Sequence, residues 1–166
     1  MKGCRFYAFL ILVIIFLFAS SVGYAKEIQF TNTGYEKERQ VVYRLLAEDI
    51  KAAESLPHSD KERLGVHAQV EIKIAMEDLN NDGKQDMLVY VAQYPYFCGK
   101  EGCTFLILIE NREGNWHKIL EAISHEDIHI SQHSTNGYND IILSDESVYV
   151  WNGKNYKVKK KGSSWR

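Results

Sequence analysis

The sequence predicts a mainly β protein of α+β class, built as two four-strand antiparallel meanders with one N-terminal amphipathic helix. Three observations predict it. From Val70 onward, apolar and polar residues alternate with the period of a strand that buries one face. Short turns rich in Gly, Asn and Asp separate these runs. One stretch alone, Thr31 to Ser55, carries apolar residues at helical spacing.

The chain of 166 residues divides by composition. Residues 1–25 have the layout of a signal peptide. Lys2 and Arg5 give a positive start, Phe6 to Ala19 is continuously apolar, and Gly23 and Ala25 are the small residues a signal peptidase needs. The apolar run falls short of the ~20 residues that span a bilayer. Cys4 precedes that run, so it makes no lipoprotein cleavage signal. The expectation is cleavage after Ala25, a periplasmic or secreted protein, and no stable membrane span afterwards. The formal net charge is −2, and losing Lys2 and Arg5 makes the remainder more acidic, which argues against general nucleic-acid binding. The remaining segments are a helix region at 26–57, a β domain at 66–160 and a tail at 161–166.

Two cysteines follow the signal, Cys98 and Cys103, in Cys-Gly-Lys-Glu-Gly-Cys. An exported chain meets an oxidising compartment, so they are expected to pair. A redox-enzyme motif needs a closer spacing, and a Cys-only zinc site needs a second pair.

In the helix, Thr33 and Glu36 form a capping-box pattern. Val41, Leu45 and Ala52 join Val42, Leu46 and Ile50 in an apolar stripe, and Pro57 follows the end. The expected strands are Val70–Met76, Met87–Tyr94, Thr104–Ile109, Trp116–Ile123, Ile128–Ile130, Ile141–Leu143, Val148–Trp151 and Tyr156–Lys160. A weak internal repeat relates them. Asp82-Gly83-Lys84-Gln85-Asp86 lines up with Asn136-Gly137-Tyr138-Asn139-Asp140, and each is followed by an apolar strand.

Between the first two strands stands Asp78-Leu79-Asn80-Asn81-Asp82-Gly83-Lys84-Gln85-Asp86. Its oxygen-bearing side chains surround a glycine that tolerates a sharp turn, which suits a hard cation such as calcium. An EF-hand would need a carboxylate where Val89 stands, so the loop is not an EF-hand. In the second copy Gln132 and Ser134 replace Asp78 and Asn80, so at most one ion is expected.

This loop resembles the calcium loop of FG-GAP or VCBS-type repeats, found in propeller blades of extracellular proteins. With Cys98 to Thr104, the chain also resembles a group of small exported bacterial proteins that carry both features and have no settled function. The resemblance implies calcium ligands at Asp78, Asn80, Asp82 and Asp86, with the Lys84 carbonyl as a further oxygen. It also leaves two arrangements of the meanders open: propeller-blade-like sheets or a sandwich.

Two other clusters carry chemistry. His125-Glu126-Asp127-Ile128-His129 matches the zinc-protease pattern His-Glu-x-x-His, which requires a helix. Here Ile128 and Ile130 alternate with His129 and Ser131, which suits a strand. On a strand Glu126 lies opposite His125 and His129, while His125, His129 and His133 would share one side and could hold a surface zinc or copper. The loop Gln93-Tyr94-Pro95-Tyr96-Phe97 offers Tyr94, Tyr96 and Phe97 as contact anchors for a partner, or as packing beneath the disulfide.

The functional expectation is an exported, non-enzymatic β protein with one structural calcium. It would act by binding an envelope protein or glycan, or a cell-wall enzyme in the manner of an inhibitor or immunity protein. The alternative is a zinc-dependent hydrolase using His125, Glu126 and His129.

Overall fold

Residues 25–55, 57, 70–92 and 96–161 are described by the computed structural model. The period-two runs form two antiparallel sheets. The first contains β2 (Glu71–Glu77), β3 (Asp86–Ala92), β5 (Gly102–Glu110) and β6 (Trp116–Ser124) in that order, with the short β4 (Cys98–Gly99) also on β5. The second has the order β1 (Lys26–Glu27), β7 (His129–Thr135), β8 (Tyr138–Ile142), β9 (Val148–Trp151) and β10 (Tyr156–Lys160). The two expected meanders are thus one sheet each. Every pairing is antiparallel, as hairpin-length connections require.

The alternation decides which side chains meet. β3 is buried along almost its whole length, the mark of a central strand covered on both faces. Leu88 and Tyr90, with Phe105 and Ile107 of β5, face the second sheet and join Ile128, Ile141, Leu143 and Trp151 in one core. Met87, Val89 and Val91, with Leu106 and Leu108, face the opposite way and pack against Val42, Leu46 and Phe97. The result has three layers: helices, first sheet, second sheet. The sheets face one another across a shared core and do not close into a barrel.

The helical region differs from expectation at both its start and its middle. Thr31 is drawn into the first sheet. Its N–H donates to the Ile74 carbonyl at 3.0 Å, and the Ile74 N–H donates back at 2.8 Å. Gly34 and Tyr35 then take left-handed conformations, with φ of 72° and 54°, and reverse the chain into α1 (Glu36–Leu45). Thr33 therefore caps nothing, and Tyr35 precedes the helix without a side-chain cap. The Thr33 N–H turns back to the Thr31 hydroxyl. Leu46, with ψ of 12°, breaks the expected single helix into α1 and α2 (Ala47–Glu54). Arg39 fastens α1 to the sheet by donating to the carbonyls of Ile72 and Gly34.

Residues 26–31 also belong to the β structure. Lys26 and Glu27 pair with Ile130 and His129. Ile28 is buried, and the Phe30 ring meets Tyr90 and Phe105. This segment passes from the edge of one sheet to the edge of the other. β7 is longer than expected because Ser131 to Thr135 form strand despite their polarity. There the ladder to β8 supplies backbone partners that hydropathy does not register.

Phe105 is fully buried, whereas Val158 is 52% exposed. Phe105→Ala is expected to lower the unfolding free energy by about 4 kcal/mol, and Val158→Ala by less than about 0.5 kcal/mol. Urea denaturation measures both, and equal losses would contradict the assigned core.

Candidate functional site

The acidic loop is the β2–β3 hairpin, and it is held by its own side chains. Asp78 accepts from the N–H groups of Asp82 at 3.2 Å and Gly83 at 2.8 Å. Asn80 accepts from the Asp82 N–H, and Asp82 accepts from the Lys84 N–H. Asx-type bonding of this kind is what Asn and Asp supply in turns. Asn81 and Gly83 provide the two left-handed residues that close it, with φ of 57° and 86°.

The loop also reaches the second sheet. Leu79 is fully buried in the core between the sheets. Its carbonyl accepts from the Asn139 N–H at 2.8 Å, and the Asn80 amide donates to the Tyr138 hydroxyl at 3.0 Å. The Tyr156 hydroxyl donates to the Asn139 carbonyl at 2.7 Å. Tyr138, Trp151 and Tyr156 stack into one aromatic cluster beneath this contact. These positioning residues were not singled out by the sequence. Tyr138 and Asn139 do lie in the repeat's second copy, and that was their one visible signal.

The charges are uneven. Asp86 is buried, and burial pushes its carboxyl up to about 6. The Leu79 N–H, which it accepts at 3.1 Å, works against that shift, while the charges of Asp82 and Asp78 add to it. Asp82, in solvent, is held below its ordinary value by the Lys84 N–H and the Asn80 amide. Burial raises the Tyr156 phenol well above its usual range, and Asp86, Tyr138 and Asp140 add to that. The donor set is all oxygen, which fits a hard cation. The carboxylates are turned onto the loop's own amides, and among the described residues no three His, Cys, Asp or Glu side chains converge as metal ligands do.

The second copy keeps the hairpin without the acidic loop. Asn136 and Gly137 form its turn, both with positive φ. Asp140 is buried like Asp86 and bonds His133 Nδ1 at 2.8 Å, seven residues back, as Asp86 bonds Leu79. Its other oxygen is buried without a hydrogen-bond partner among the described residues.

The histidine motif is not helical. His125 to Ile128 are loop, and β7 begins at His129. The Glu126 carboxylate is ion-paired with Lys73 at 2.7 Å, and that bond raises the lysine's affinity for its proton. His129 Nε2 lies 2.7 Å from Asp127, and His133 is tied to Asp140. The register between β7 and β8 shifts from Ile130 to Ser134, so simple alternation does not carry through to His133. His125, His129 and His133 each go to separate surroundings.

Cys98 and Cys103 are joined by a disulfide and face one another across the β4–β5 ribbon. Gly102 lies so close to Ser124 that a Cβ would sit 2.1 Å from its carbonyl carbon. The ribbon is thereby pressed onto the end of β6, where the Ser124 and Ser144 hydroxyls bond at 3.0 Å. Of the expected contact anchors, Phe97 is buried among the helix-side residues and is a core residue instead. Tyr96 is exposed and stacks edge-on to Phe97. Tyr94 lies outside the described residues, with Gln93 and Pro95.

The Asp86 shift has a pH signature. Folded Asp86 holds its proton up to about 6, while the unfolded group releases it near 3.8. Its stabilising contribution is full below about pH 4 and is lost as pH rises through about 6. In chelator, the wild type minus Asp86→Asn difference in unfolding free energy is expected to fall across that window, by on the order of 3 kcal/mol. Denaturation at stepped pH measures it, and a flat difference would place Asp86 in solvent. The chain matches no family model, no curated protein and no solved structure, so the likeness of Asp78–Asp86 to FG-GAP and VCBS calcium loops rests on the loop itself.

Proposed function

We propose that this chain is an exported, non-enzymatic β-sandwich module whose acidic loop takes one structural calcium and which acts by binding an envelope protein or glycan. One observation carries the reading. The loop that holds the oxygen donors is also the loop that joins the sheets, through Leu79 to Asn139 and Asn80 to Tyr138. An ion there orders the joint of the sandwich.

Asp78, Asn80, Asp82 and Asp86 would hold it with side-chain oxygens, and Lys84 with its carbonyl. The ion supplies positive charge where three carboxylates crowd and where burial already penalises the ionised Asp86. The loop lies against β8 and its aromatic cluster, which suits a structural ion better than a catalytic one. Lys26 opens the first strand, which suits a mature chain starting there. For a zinc hydrolase, Glu126 would have to leave Lys73 and His129 would have to leave Asp127. The partner surface favoured is the exposed Tyr96, two residues before the disulfide-clamped β4–β5 turn. An inhibitor or immunity role against a cell-wall enzyme is the specific form that a small stapled module with a projecting aromatic would take.

Calcium that binds only the folded state stabilises it, by about 2.7 kcal/mol at a hundred times the dissociation constant. The melting temperature is expected to rise by several degrees in calcium and to drop back in chelator. Asp82→Ala is expected to remove the response and leave melting in chelator nearly unchanged. A wild-type curve indifferent to chelator ends the ion proposal. For the binding surface, Tyr96→Ala is expected to lower capture of an envelope partner from periplasmic extract without altering melting. Undiminished capture removes Tyr96 from the account.

A further inference from the structure

The two sheets each leave a long edge open on the same side. Among the described residues β6 pairs only with β5, and β10 pairs only with β9. The two edges approach one another. Between them runs a groove of about 350 Å³, whose lining includes Leu120, Glu121, Tyr149, Lys157 and Val158. Exposed apolar residues stand on both edges: Ile123 on β6 and Val158 on β10. Neither strand has a further backbone hydrogen bond to any described residue.

The direction of the open groups on β10 follows from its turn. The Asn152 N–H donates to the Asn155 carbonyl, which makes that pair hydrogen-bonded. Trp151 then faces Tyr156, and Tyr149 faces Val158. In an antiparallel ladder bonded and non-bonded pairs alternate. Tyr156 and Val158 therefore turn their N–H and C=O away from β9, toward the groove side.

Charge supplies the second observation. β10 reads Tyr-Lys-Val-Lys-Lys, and Lys161 follows. Lys157, Lys159 and Lys160 are exposed, and none has an ion-pair partner among the described residues. The whole chain is nonetheless net negative, so this edge is a local concentration of positive charge. Lysines on an edge strand repel a second copy of the same edge. They attract an extended segment that carries carboxylates.

We propose that the β6–β10 groove receives an acidic, extended peptide segment of a partner protein, which adds as a strand to β10. Main-chain hydrogen bonds to the open edge provide the affinity, the lysines select acidic side chains, and Tyr149 and Val158 offer apolar surface to alternate residues. The inference deepens the binding reading by naming a partner chemistry. It uses neither the calcium loop nor Tyr96.

The probe is a fluorescent peptide of alternating glutamate and valine, titrated by anisotropy with the full chain. Its control is the same peptide N-methylated at alternate residues, which keeps the charge and blocks pairing. Saturable binding is expected, weaker by tenfold or more for the N-methylated peptide. Val158→Pro, which removes one outward N–H and no ladder bond, is expected to weaken it similarly. Lys157→Glu with Lys159→Glu is expected to abolish it, each variant having first been shown to melt like the wild type. If a variant fails to fold, the N-methylated control on the wild type still decides the matter. Equal binding of both peptides would show charge attraction alone and overturn strand addition. No binding at low salt would show that the lysines only guard the edge, and would overturn the proposal. Either failure leaves the calcium and Tyr96 experiments free to succeed.

Discussion

The joint between the two sheets is the burial of Leu79. It is an apolar residue in the middle of an acidic loop, and it sits between the sheets with its carbonyl bonded to Asn139. Without it, the β2–β3 hairpin would be a solvated turn at the end of one meander. With it, the hairpin is pinned to β8, and the carboxylates around it take the positions they have. Asp86 is buried because Leu79 is, and the two are tied by the Leu79 N–H. The raised carboxyl of Asp86 and the bond from Asn80 to Tyr138 both accompany this one apolar anchor, while Asp78 and Asp82 are held by the loop's own amides.

The internal repeat gives that anchor a counterpart. Asp86 and Asp140 occupy matching places, and each bonds a residue seven positions earlier. In the first copy the donor is a main-chain N–H, and the loop keeps its oxygens. In the second it is an imidazole, and the loop has become a two-residue turn. One scaffold thus holds an acidic loop on one sheet and a bare hairpin on the other. The bare hairpin, through Tyr138 and Asn139, is the surface on which the first loop rests.

Function on such a fold belongs to its margins. Both faces of β3 are covered, by helices on one side and the second sheet on the other, and its residues hold the core. Three features remain at the periphery: the joint loop, the disulfide ribbon with Tyr96, and the open edges of β6 and β10. The ribbon is held from both ends, by the disulfide and by the contact of Gly102 with Ser124. A clamped ribbon has little entropy to lose on contact, and the exposed Tyr96 stands two residues before it. The open edges carry lysines, which discourage self-association and leave room for an acidic strand.

The sequence by itself determined the period-two strands, their grouping into two meanders, the cysteine pairing and the composition of the acidic loop. Each of these depends on local pattern or short separation, such as the sequence separation of 5 between Cys98 and Cys103. Tertiary structure decided the rest, because long-range partners override local preference. Thr33 has the residue type of a cap, yet it cannot act as one once Ile74 has drawn Thr31 into the sheet. Phe97 and Tyr96 are adjacent aromatics with the same local signal, and only the helix-side core separates a buried residue from an exposed one. The His-Glu-x-x-His pattern is complete in letters, but Lys73, far off in the chain, takes its glutamate. Leu79 shows the same division. Its place among ligand-type residues was legible, but its burial depends on a second sheet whose nearest strand begins more than fifty residues later.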